Sequence, residues 1–446
     1  MVLSARRALD MTGGAVPSIR TLLQPLGGLA QLGHLFPPEA DGPDLTTQTV
    51  DVGDIGRIFN RGGGARPAFH TQLSGAGVGL DPDDALTRAL GEAIERYCAS
   101  VFSETQFTRD SASGLGRGAL DLDTVPRCSA AELSHPYCPL LAPDKGRPIR
   151  WVRGLSLLDG KVVFLPAIMV YHYAGVAGDG ERFWLPISTG CAAHTTYEAA
   201  LTAAICEIVE RDALSVAWIQ QLALPRLSID DLNGEAATYW HRFARASAVI
   251  EYSFFDATTD LGVPVVLGIQ RCLADRRRAT LVACGCALDP QQAFIKVLRE
   301  MVAHRVATQA PQPAPRSLDE CSGLTQGAAL MACAEQAGAF GFLFRSKMRR
   351  GISGVAGLPA GHDGMASLLD IFRRRTMGVF AVDLSTDEAL RSGLRAVRVV
   401  IPSLQPFAYH YRARYLGHPR LYDAPRRMGY RPRGEAKLNP WPIPFA

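Results

Sequence analysis

Three segments of the chain share one pattern of apolar and polar positions. Each begins with a short stretch that contains glycine and continues into a run with the apolar periodicity of a helix. The leading glycine stands 15, 17 and 15 residues before a glutamate in the three copies: Gly77 to Glu92, Gly190 to Glu207, and Gly285 to Glu300. An Asp-Pro pair opens two of the predicted helices, with Asp81 and Asp289 as N-caps. The pattern predicts repeated strand–helix units, which favour an α/β or α+β fold.

Strand character is present outside the repeats as well. Runs of apolar and β-branched residues predict strands within Val162–Val170, Val263–Ile269 and Val397–Ile401. The N-terminal region is rich in Gly and Pro and has weak periodicity. We therefore predict an irregular N-terminal lead-in over residues 1–60 and a single domain over residues 61–446, because no change in composition separates further domains.

The repeated helices carry charged residues near their far ends. In the first two copies a glutamate, a second glutamate three residues later and the following arginine share one helical face: Glu92, Glu95 and Arg96, then Glu207, Glu210 and Arg211. The third copy has Glu300, with His304 four residues on. On an isolated helix such a face is usually a solvated ion pair that contributes roughly a few tenths of a kcal/mol.

The neighbours of the second set favour another interpretation. The residues between Ala203 and Leu214 are mostly apolar, which leaves almost no polar face around Glu207. Carboxylates buried there cost roughly several kcal/mol each unless a cation compensates them. Carboxylates from repeated helices that meet in one cleft suit Mg²⁺ ions that bridge to nucleotide phosphates, because Mg²⁺ prefers oxygen ligands. The sequence therefore predicts an acidic site for a metal and a nucleotide.

Composition and charge exclude several classes of protein. Hydrophobic residues make up 47% and charged residues 20% of the 446 residues, which is typical of a folded protein, and a net charge of +4 is too small for one that wraps nucleic acid. The ten Cys include no CxxC pair, no secretory signal is visible, and the longest apolar run contains Pro166. We therefore expect no zinc ribbon, no membrane span and a cytoplasmic location. Neither GxxxxGK[ST] nor a complete GxGxxG occurs, so ATP would bind on another scaffold.

Several blocks, in the same order, resemble the YcaO family. The three repeats, with LGEAIERY, EIVERD and GCALDPQQAF, are similar to three of its blocks, and so are WVRGLSLLDG, DATTDLGVPVV and AVRVVIPSLQPF. The chain ends in NPWPIPFA, which is similar to the PxPxP tail of the family. The resemblance extends from about Gly62 to Ala446. It implies an α+β fold in which mixed sheets flanked by helices surround a central ATP cleft, so that residues 61–446 form one YcaO catalytic domain.

The resemblance also implies ATP and Mg²⁺ as cofactors and assigns their contacts. The implied Mg²⁺ ligands are Glu92, Glu95, Glu207 and Glu210. The implied ATP contacts are Ser74, Arg96, Ser188, Arg211, Glu300, His304 and Arg398. The implied catalytic tail consists of Pro440, Pro442, Pro444 and Ala446, whose terminal carboxylate would lie near the chemistry.

The reaction implied by the tail is azoline formation. In YcaO proteins of this kind a substrate Cys, Ser or Thr attacks the preceding amide carbonyl, ATP phosphorylates the oxygen, and loss of phosphate leaves a thiazoline or oxazoline. The resemblance thus implies an ATP-dependent cyclodehydratase subunit that acts on a ribosomally made precursor peptide. A leader-binding partner of the E1-like, ocin-ThiF type is expected, because no such domain is visible in the chain. A flavin dehydrogenase and a second copy of the chain are further candidate partners.

Three positions depart from the family pattern. Ala76 stands where the family often has Lys, Arg88 where it has Ser, and His304 where it has Gln. Arg88 and His304 are still able to donate to phosphate, and Arg88 has Glu92 as an alternative partner. Two other functions remain as alternatives: a YcaO enzyme that makes thioamides or amidines, against which the tail argues, and a scaffold that does not turn over ATP, which Ala76 and His304 favour.

Overall fold

The computed structural model describes residues 18–24, 28–38, 42–54, 72–245, 249–272, 274–309 and 315–445. The α-helices are α1 (Pro82–Cys98), α2 (Ala112–Leu115), α3 (Ala130–Leu133), α4 (Ala167–Val170), α5 (Tyr197–Ile219), α6 (Gly234–Phe243), α7 (Pro290–Ala307), α8 (Leu324–Ala332), α9 (Gly361–Arg374), α10 (Asp387–Arg391) and α11 (Arg420–Arg427). The strands are β1 (Leu32–Phe36), β2 (Thr46–Asp54), β3 (Gln72–Gly79), β4 (Thr108–Asp110), β5 (Ile149–Ser156), β6 (Val162–Pro166), β7 (Cys191–His194), β8 (Arg226–Ser228), β9 (Ile250–Asp256), β10 (Val265–Cys272), β11 (Thr280–Cys286), β12 (Arg349–Gly351), β13 (Phe380–Asp383) and β14 (Arg395–Val400). Short 3₁₀ helices lie at Ile19–Leu22, Glu104–Gln106, Gly116–Gly118, Asp179–Glu181, Leu318–Glu320, Ala334–Arg345, Ile352–Gly354 and Glu435–Lys437.

The described strands form three sheets. One has the order β1-β2-β3, the second β11-β10-β9-β8-β12, and the third β4-β5-β13-β14-β7, with β6 paired to β5. All the pairs are antiparallel except β8 with β12, which is parallel. Helices and mostly antiparallel sheets are therefore combined, which confirms the predicted α+β class.

Each sheet contributes one strand–helix unit, as the repeated sequence pattern predicts. β3 leads into α1, β7 into α5 and β11 into α7, and each helix packs on the strand that precedes it. Asp81 and Asp289 cap α1 and α7 by accepting backbone N–H bonds at 2.8 and 2.7 Å, and Thr196 caps α5. α1 also contacts β7 and α7 also contacts β3, so the three units converge on one region.

Helix α5 has a different environment from α1. α1 buries one stripe, which includes Ala89, Leu90 and Ala93, and leaves its opposite side accessible. α5 packs against β14 and β7 of one sheet and against β10 and β11 of another, so nearly every residue from Ala204 to Ile219 is buried. The centre of the hydrophobic core therefore lies around α5.

The expected irregular lead-in is wrong for part of residues 1–60. β1 and β2 lie within it, and β2 pairs with β3 from Thr46↔Gly79 to Asp54↔Gln72. Val50 and Val52 are buried, and β2 contacts α1, so alternate side chains of a Thr- and Val-containing strand close the core on one face. The predicted boundary at residue 60 lies in 55–71, outside the described residues, and stays a prediction.

Gly75 and Gly77 have a structural role in β3. A Cβ on either would lie 2.1 Å from a carbonyl oxygen of α1, that of Ala89 or Ala85. The glycines thus let α1 approach the strand closely, which brings the charged end of this helix next to the edge of β3.

No single helix in the described part of the chain has the length and apolarity needed to cross a membrane. The segments Thr325–Ala332 and Ala334–Arg345 reach that length and composition only together, as a pair bent by 89°.

Candidate functional site

A cleft of about 770 Å³ lies where the three strand–helix units converge. Its walls come from β3 and α1, from the segment before β7 together with α5, and from α7. Its acidic lining residues are Glu92, Glu95, Glu207, Glu210 and Glu300, and its basic ones are Arg88, Arg96, Arg211, Lys296 and Arg299. The four glutamates predicted to bind Mg²⁺ therefore line one space together.

Backbone N–H groups of the strands hold three of these carboxylates. The N–H···Oε2 distances are 2.6 Å from Ala76 to Glu92, 2.9 Å from Gly190 to Glu207 and 3.0 Å from Cys286 to Glu210. Gly190 has a φ of +91°, and a Cβ there would lie 2.6 Å from the carbonyl oxygen of Val399. Each unit thus uses its strand, or the residue just before it, to fix a glutamate on a helix.

The two arginines of the repeated sets are held differently. Arg96 donates from Nη2 to Glu92 at 2.6 Å and from Nη1 to the carbonyl oxygen of Ser74 at 2.8 Å. Arg211 lies 3.7 Å from both Glu207 and Glu210, and its guanidinium stacks over the Phe445 ring at 4.2 Å. Its Nη1 atom is buried and lies 3.7 Å from Glu210 Oε1, too far for a hydrogen bond, and it has no hydrogen-bond partner among the described residues.

Burial and mutual repulsion raise the carboxyl pKa values in the cleft. Burial, the charge of Glu207 and that of Glu92 hold the pKa of Glu95 well above its ordinary value. Burial also raises the pKa of Glu207, and that of Glu210 to about 7. Crowded carboxylates of this kind are stabilised in their charged form by a cation that binds between them.

The donor set fits Mg²⁺ together with phosphates rather than Mg²⁺ alone. No group of three or more His, Cys, Asp or Glu in the described ranges is close enough to hold a metal by itself. Mg²⁺ usually takes one or two carboxylates and completes its shell with phosphate oxygens and water. The unpartnered Nη1 of Arg211 and the nearby Lys296 and Arg299 supply the positive charge that phosphates require.

Most of the predicted ATP contacts also line the cleft. Ser74 lies in β3 and Ser188 in the segment before β7, and Glu300 and His304 belong to the α7 wall. His304 lies with Nδ1 2.8 Å from the carbonyl oxygen of Val282 and with Nε2 3.9 Å from Glu300.

Arg398 lies behind the cleft, not among the residues that line it. It is buried on β14 and donates to the carbonyl oxygen of Ile187 at 2.7 Å and to Cys191 Sγ at 3.2 Å. Its positive charge nevertheless acts on the carboxylates of Glu95 and Glu207.

The C-terminal tail reaches the cleft through Phe445, not through its prolines. Pro442 and Pro444 are buried outside the cleft lining, and Pro440 is exposed. The tail is anchored by Trp218, which donates to the carbonyl oxygen of Trp441 at 3.3 Å, and by the N–H of Asn439, which donates to that of Ile219 at 2.8 Å. Phe445 packs against His304, Phe407 and Arg211. Ala446 lies outside the described residues, so its predicted role stays a prediction.

Several cleft residues were not predicted from sequence. They include Lys296, Arg299, Phe407 and Phe445. Lys296 lies one helical turn before Glu300, and Arg299 lies one residue before it. The helical face of the third repeat therefore contained the signal that would have identified both. Phe407 lies in the irregular segment that follows β14, and Phe445 follows the last proline of the tail, so no local periodicity pointed to either residue.

Two of the departures from the family pattern have structural outcomes. Arg88 lines the cleft but pairs with Asp84 at 3.0 Å rather than with Glu92. Ala76 exposes its small side chain to the cleft while its N–H holds Glu92.

Comparisons with known proteins agree with this geometry. Residues 76–405 match the family model described as YcaO cyclodehydratase, ATP- and Mg²⁺-binding. The protein named "uncharacterized protein in tfuA 3′ region" of Rhizobium leguminosarum bv. trifolii is 31% identical over 259 residues, which is 55% of this chain and 58% of that protein.

Two solved structures share the fold. A heterocyclase in complex with substrate and cofactor has a TM-score of 0.75 at 19% identity, over 95% of this chain and 56% of that chain. The YcaO protein of Methanopyrus kandleri bound with AMPPCP and Mg²⁺ has a TM-score of 0.57 at 18% identity, over 83% and 85%. This chain therefore matches only a little over half of the length of the Rhizobium protein and of the heterocyclase.

The family model spans most of the chain, and the fold of both structures agrees with it. The predicted resemblance and the predicted cofactors, ATP and Mg²⁺, are confirmed at the level of the family. The chain belongs to the YcaO family of ATP- and Mg²⁺-binding cyclodehydratases.

Proposed function

We propose that this chain is the catalytic subunit of a synthetase that converts Cys, Ser or Thr residues of a ribosomally made precursor peptide into thiazolines or oxazolines. The observation that carries the proposal is the meeting of two Glu–Glu–Arg sets, from α1 and α5, in one cleft with a basic wall from α7. Such a cleft suits a nucleoside triphosphate with its metal ion. The activation of an amide by phosphorylation requires both.

The carboxylates on α1 and α5 would hold Mg²⁺, and the basic side chains of the cleft would bind the triphosphate. Mg²⁺ supplies charge neutralisation for the transferred phosphoryl group. Glu92, Glu207 and Glu210 are pre-oriented by backbone N–H groups, which reduces the reorganisation needed on binding. Arg211, stacked on Phe445, would supply positive charge beside the phosphates of the nucleotide.

The proposed reaction balances without an oxidant or a reductant. The thiol or hydroxyl forms a bond to the preceding amide carbon, the amide oxygen takes the γ-phosphoryl group of ATP, and its C–O bond then breaks. The products are the ring, ADP and inorganic phosphate, and the protons of the nucleophile and the amide are released. Phosphate is a far better leaving group than hydroxide, which is the reason for ATP use.

The partners are proposals of the same kind. We infer a leader-binding, E1-like partner that delivers the peptide, with a flavin dehydrogenase and a second copy of the chain as further candidates. We also infer a reducing, cytoplasmic location, because all ten Cys are free thiols and most are buried. The prolines 440, 442 and 444 would act by anchoring the tail that carries Phe445 and Ala446.

The proposal is tested by mixing the chain, its partner, a precursor peptide and ATP. A heavy oxygen isotope is placed in the amide that precedes the reacting Cys. We expect the peptide to lose the mass of one water per ring and the isotope to appear in the released phosphate. Exchange of one oxygen for one sulfur would instead identify a thioamide-forming enzyme. Absence of nucleotide binding to the chain would identify a scaffold.

A further inference from the structure

A second, smaller cavity lies behind the floor of the cleft. Its volume is about 40 Å³, and it is bounded by Trp184, by the end of β14 and by the segment 401–407. It shares Ile187, Thr189, Arg211 and Phe407 with the lining of the cleft, so the two spaces adjoin. Most of its walls are apolar, which leaves few polar groups to determine what it binds.

Four buried polar atoms of its lining residues have no hydrogen-bond partner among the described residues. Three are donors, Trp184 Nε1, Arg211 Nη1 and Arg398 Nε, and one is an acceptor, Gln405 Oε1. The orientation of the Gln405 amide is determined, because its Nε2 donates to two carbonyl oxygens, those of Arg414 and Tyr415, at 3.1 and 3.4 Å. Buried polar groups are nearly always satisfied by protein, water or a ligand, so four on the residues around one cavity indicate that water or a ligand occupies it.

The charge of Arg398 points to the same conclusion. Arg398 is 3% exposed, and no carboxylate in the described ranges lies within 4.0 Å of its guanidinium. Glu95 and Glu207 act on it only over a longer range. A buried guanidinium without a close counter-ion is costly, and a bound anion removes that cost.

We propose that this cavity binds a tetrahedral oxyanion that still carries one proton, and that the ligand is the inorganic phosphate released from ATP. The three donors match the unprotonated oxygens, and Gln405 Oε1 accepts the remaining P–OH hydrogen. The identity of the ligand rests on the proposed function, whereas the oxyanion site rests on the four unpartnered atoms. Arg211 connects the cavity to the cleft, so phosphate is able to leave the nucleotide while the peptide is still bound.

A comparison of the affinities for phosphate and sulfate distinguishes this site from a surface that binds any anion. Inorganic phosphate and then sulfate are titrated by calorimetry into the full chain saturated with ADP and Mg²⁺. Sulfate has no proton at neutral pH and cannot donate to Gln405 Oε1. We expect phosphate to bind alongside ADP and sulfate to bind at least about threefold more weakly, which is the loss of one hydrogen bond.

A pair of Trp variants locates the binding site. Trp184→Phe keeps an aromatic ring but removes one donor, and we expect the phosphate affinity to fall about threefold to tenfold. Trp240→Phe, in the aromatic cluster around Phe243 and Phe254, serves as the matched control and leaves the affinity unchanged.

Three outcomes would overturn the proposal. They are the absence of any heat from phosphate, which means that the cavity holds only water, displacement of ADP by phosphate, and equal binding of phosphate and sulfate. The comparison of the two anions needs no variant, so the test holds even if Trp184→Phe fails to fold. A chain that forms rings but binds no phosphate here would overturn this inference alone. One that binds phosphate but forms no rings would overturn the proposed function alone.

Discussion

The two helices that carry the Glu–Glu–Arg sets hold the same residues in different ways. On α1 the side chains of Glu92 and Arg96 are 32% and 36% exposed and pair directly at 2.6 Å. On α5 the side chain of Arg211 is 17% exposed, lies 3.7 Å from both glutamates and stacks over the Phe445 ring at 4.2 Å. Glu92 and Arg96 are stabilised within their own strand–helix unit, whereas Glu210 is held by the N–H of Cys286 on β11 and Arg211 stacks on the C-terminal tail.

The difference follows from burial. Glu92 and Arg96 lie on the side of α1 that is open to the cleft, so water screens this pair, whereas burial and the charges of Glu207 and Glu92 raise the pKa of Glu95 on the same helix. α5 lies between two sheets, where burial raises the pKa values of both Glu207 and Glu210 and a bound cation would favour their charged forms. We therefore expect α5 to supply most of the interaction energy with Mg²⁺ and phosphate, and α1 to supply the smaller part.

The largest expected effect is that of Arg211→Ala. This variant removes a buried cation beside Glu207 and Glu210, and we expect ATP turnover with the partner present to fall by about 10²- to 10³-fold. Arg96→Ala is the matched change on α1, and its loss is expected to be about tenfold because solvent screens that pair and Ala76 N–H still holds Glu92. Equal losses in the two variants would contradict the asymmetry between the helices.

The next effect concerns stability without metal and has opposite signs on the two helices. Burial raises the pKa of Glu210 to about 7, from 4.5, so between these pH values the folded protein holds a proton that the unfolded chain has released. Stability of the Mg²⁺-free protein should therefore fall as pH rises through this window. Glu210→Gln should remove the loss and stabilise the protein at pH above 7 by up to about 3 kcal/mol.

Glu92→Gln is the matched substitution on α1. It weakens the pair with Arg96 and is expected to destabilise the protein by less than about 1 kcal/mol, because both side chains are about a third exposed. Thermal unfolding of the metal-free variants at acidic and alkaline pH measures both effects. A Glu210→Gln variant that is less stable than the parent at alkaline pH would contradict a raised pKa of Glu210 on α5.

A smaller effect is expected when the tail support is removed. Phe445→Leu keeps an apolar side chain but loses the cation–π contact with Arg211, which is worth about 0.5–2 kcal/mol. We expect the affinity for ATP to fall about threefold to thirtyfold while the melting temperature changes little. Phe344→Leu, which loses a similar contact with Arg271 at 4.7 Å outside the cleft, is the control. An identical change in both variants would mean that Phe445 has no specific role.

The smallest effect is expected from Ala76→Lys on the α1 side. The Ala76 side chain faces the cleft and its N–H already holds Glu92, so a lysine adds one donor without disturbing that bond. We expect MgATP to bind about twofold to tenfold more tightly, as measured by calorimetry. Ala76→Leu controls for side-chain bulk, and tighter binding by the leucine variant would exclude a charge effect.

Local relations were readable from the sequence because they span only a few residues. The spacing of Glu92, Glu95 and Arg96 determines that they share a face of a helix, and the Asp-Pro pairs determine where two of the helices begin. The same holds for the three strand–helix units, whose apolar periodicity is repeated. The family and its cofactors followed from these motifs.

Relations between distant segments were decided only by the tertiary structure. Two examples are the strands β1 and β2 within an apparently irregular region and the position of Arg398 behind the cleft, which both depend on which strands and sheets meet. The sequence by itself determined the charged helical faces, because helical geometry is local. Only the packed sheets decided that these faces converge, that Phe445 rather than the prolines reaches them, and that residues with four unpartnered polar atoms surround a second cavity. The reason is that burial is a property of the whole molecule.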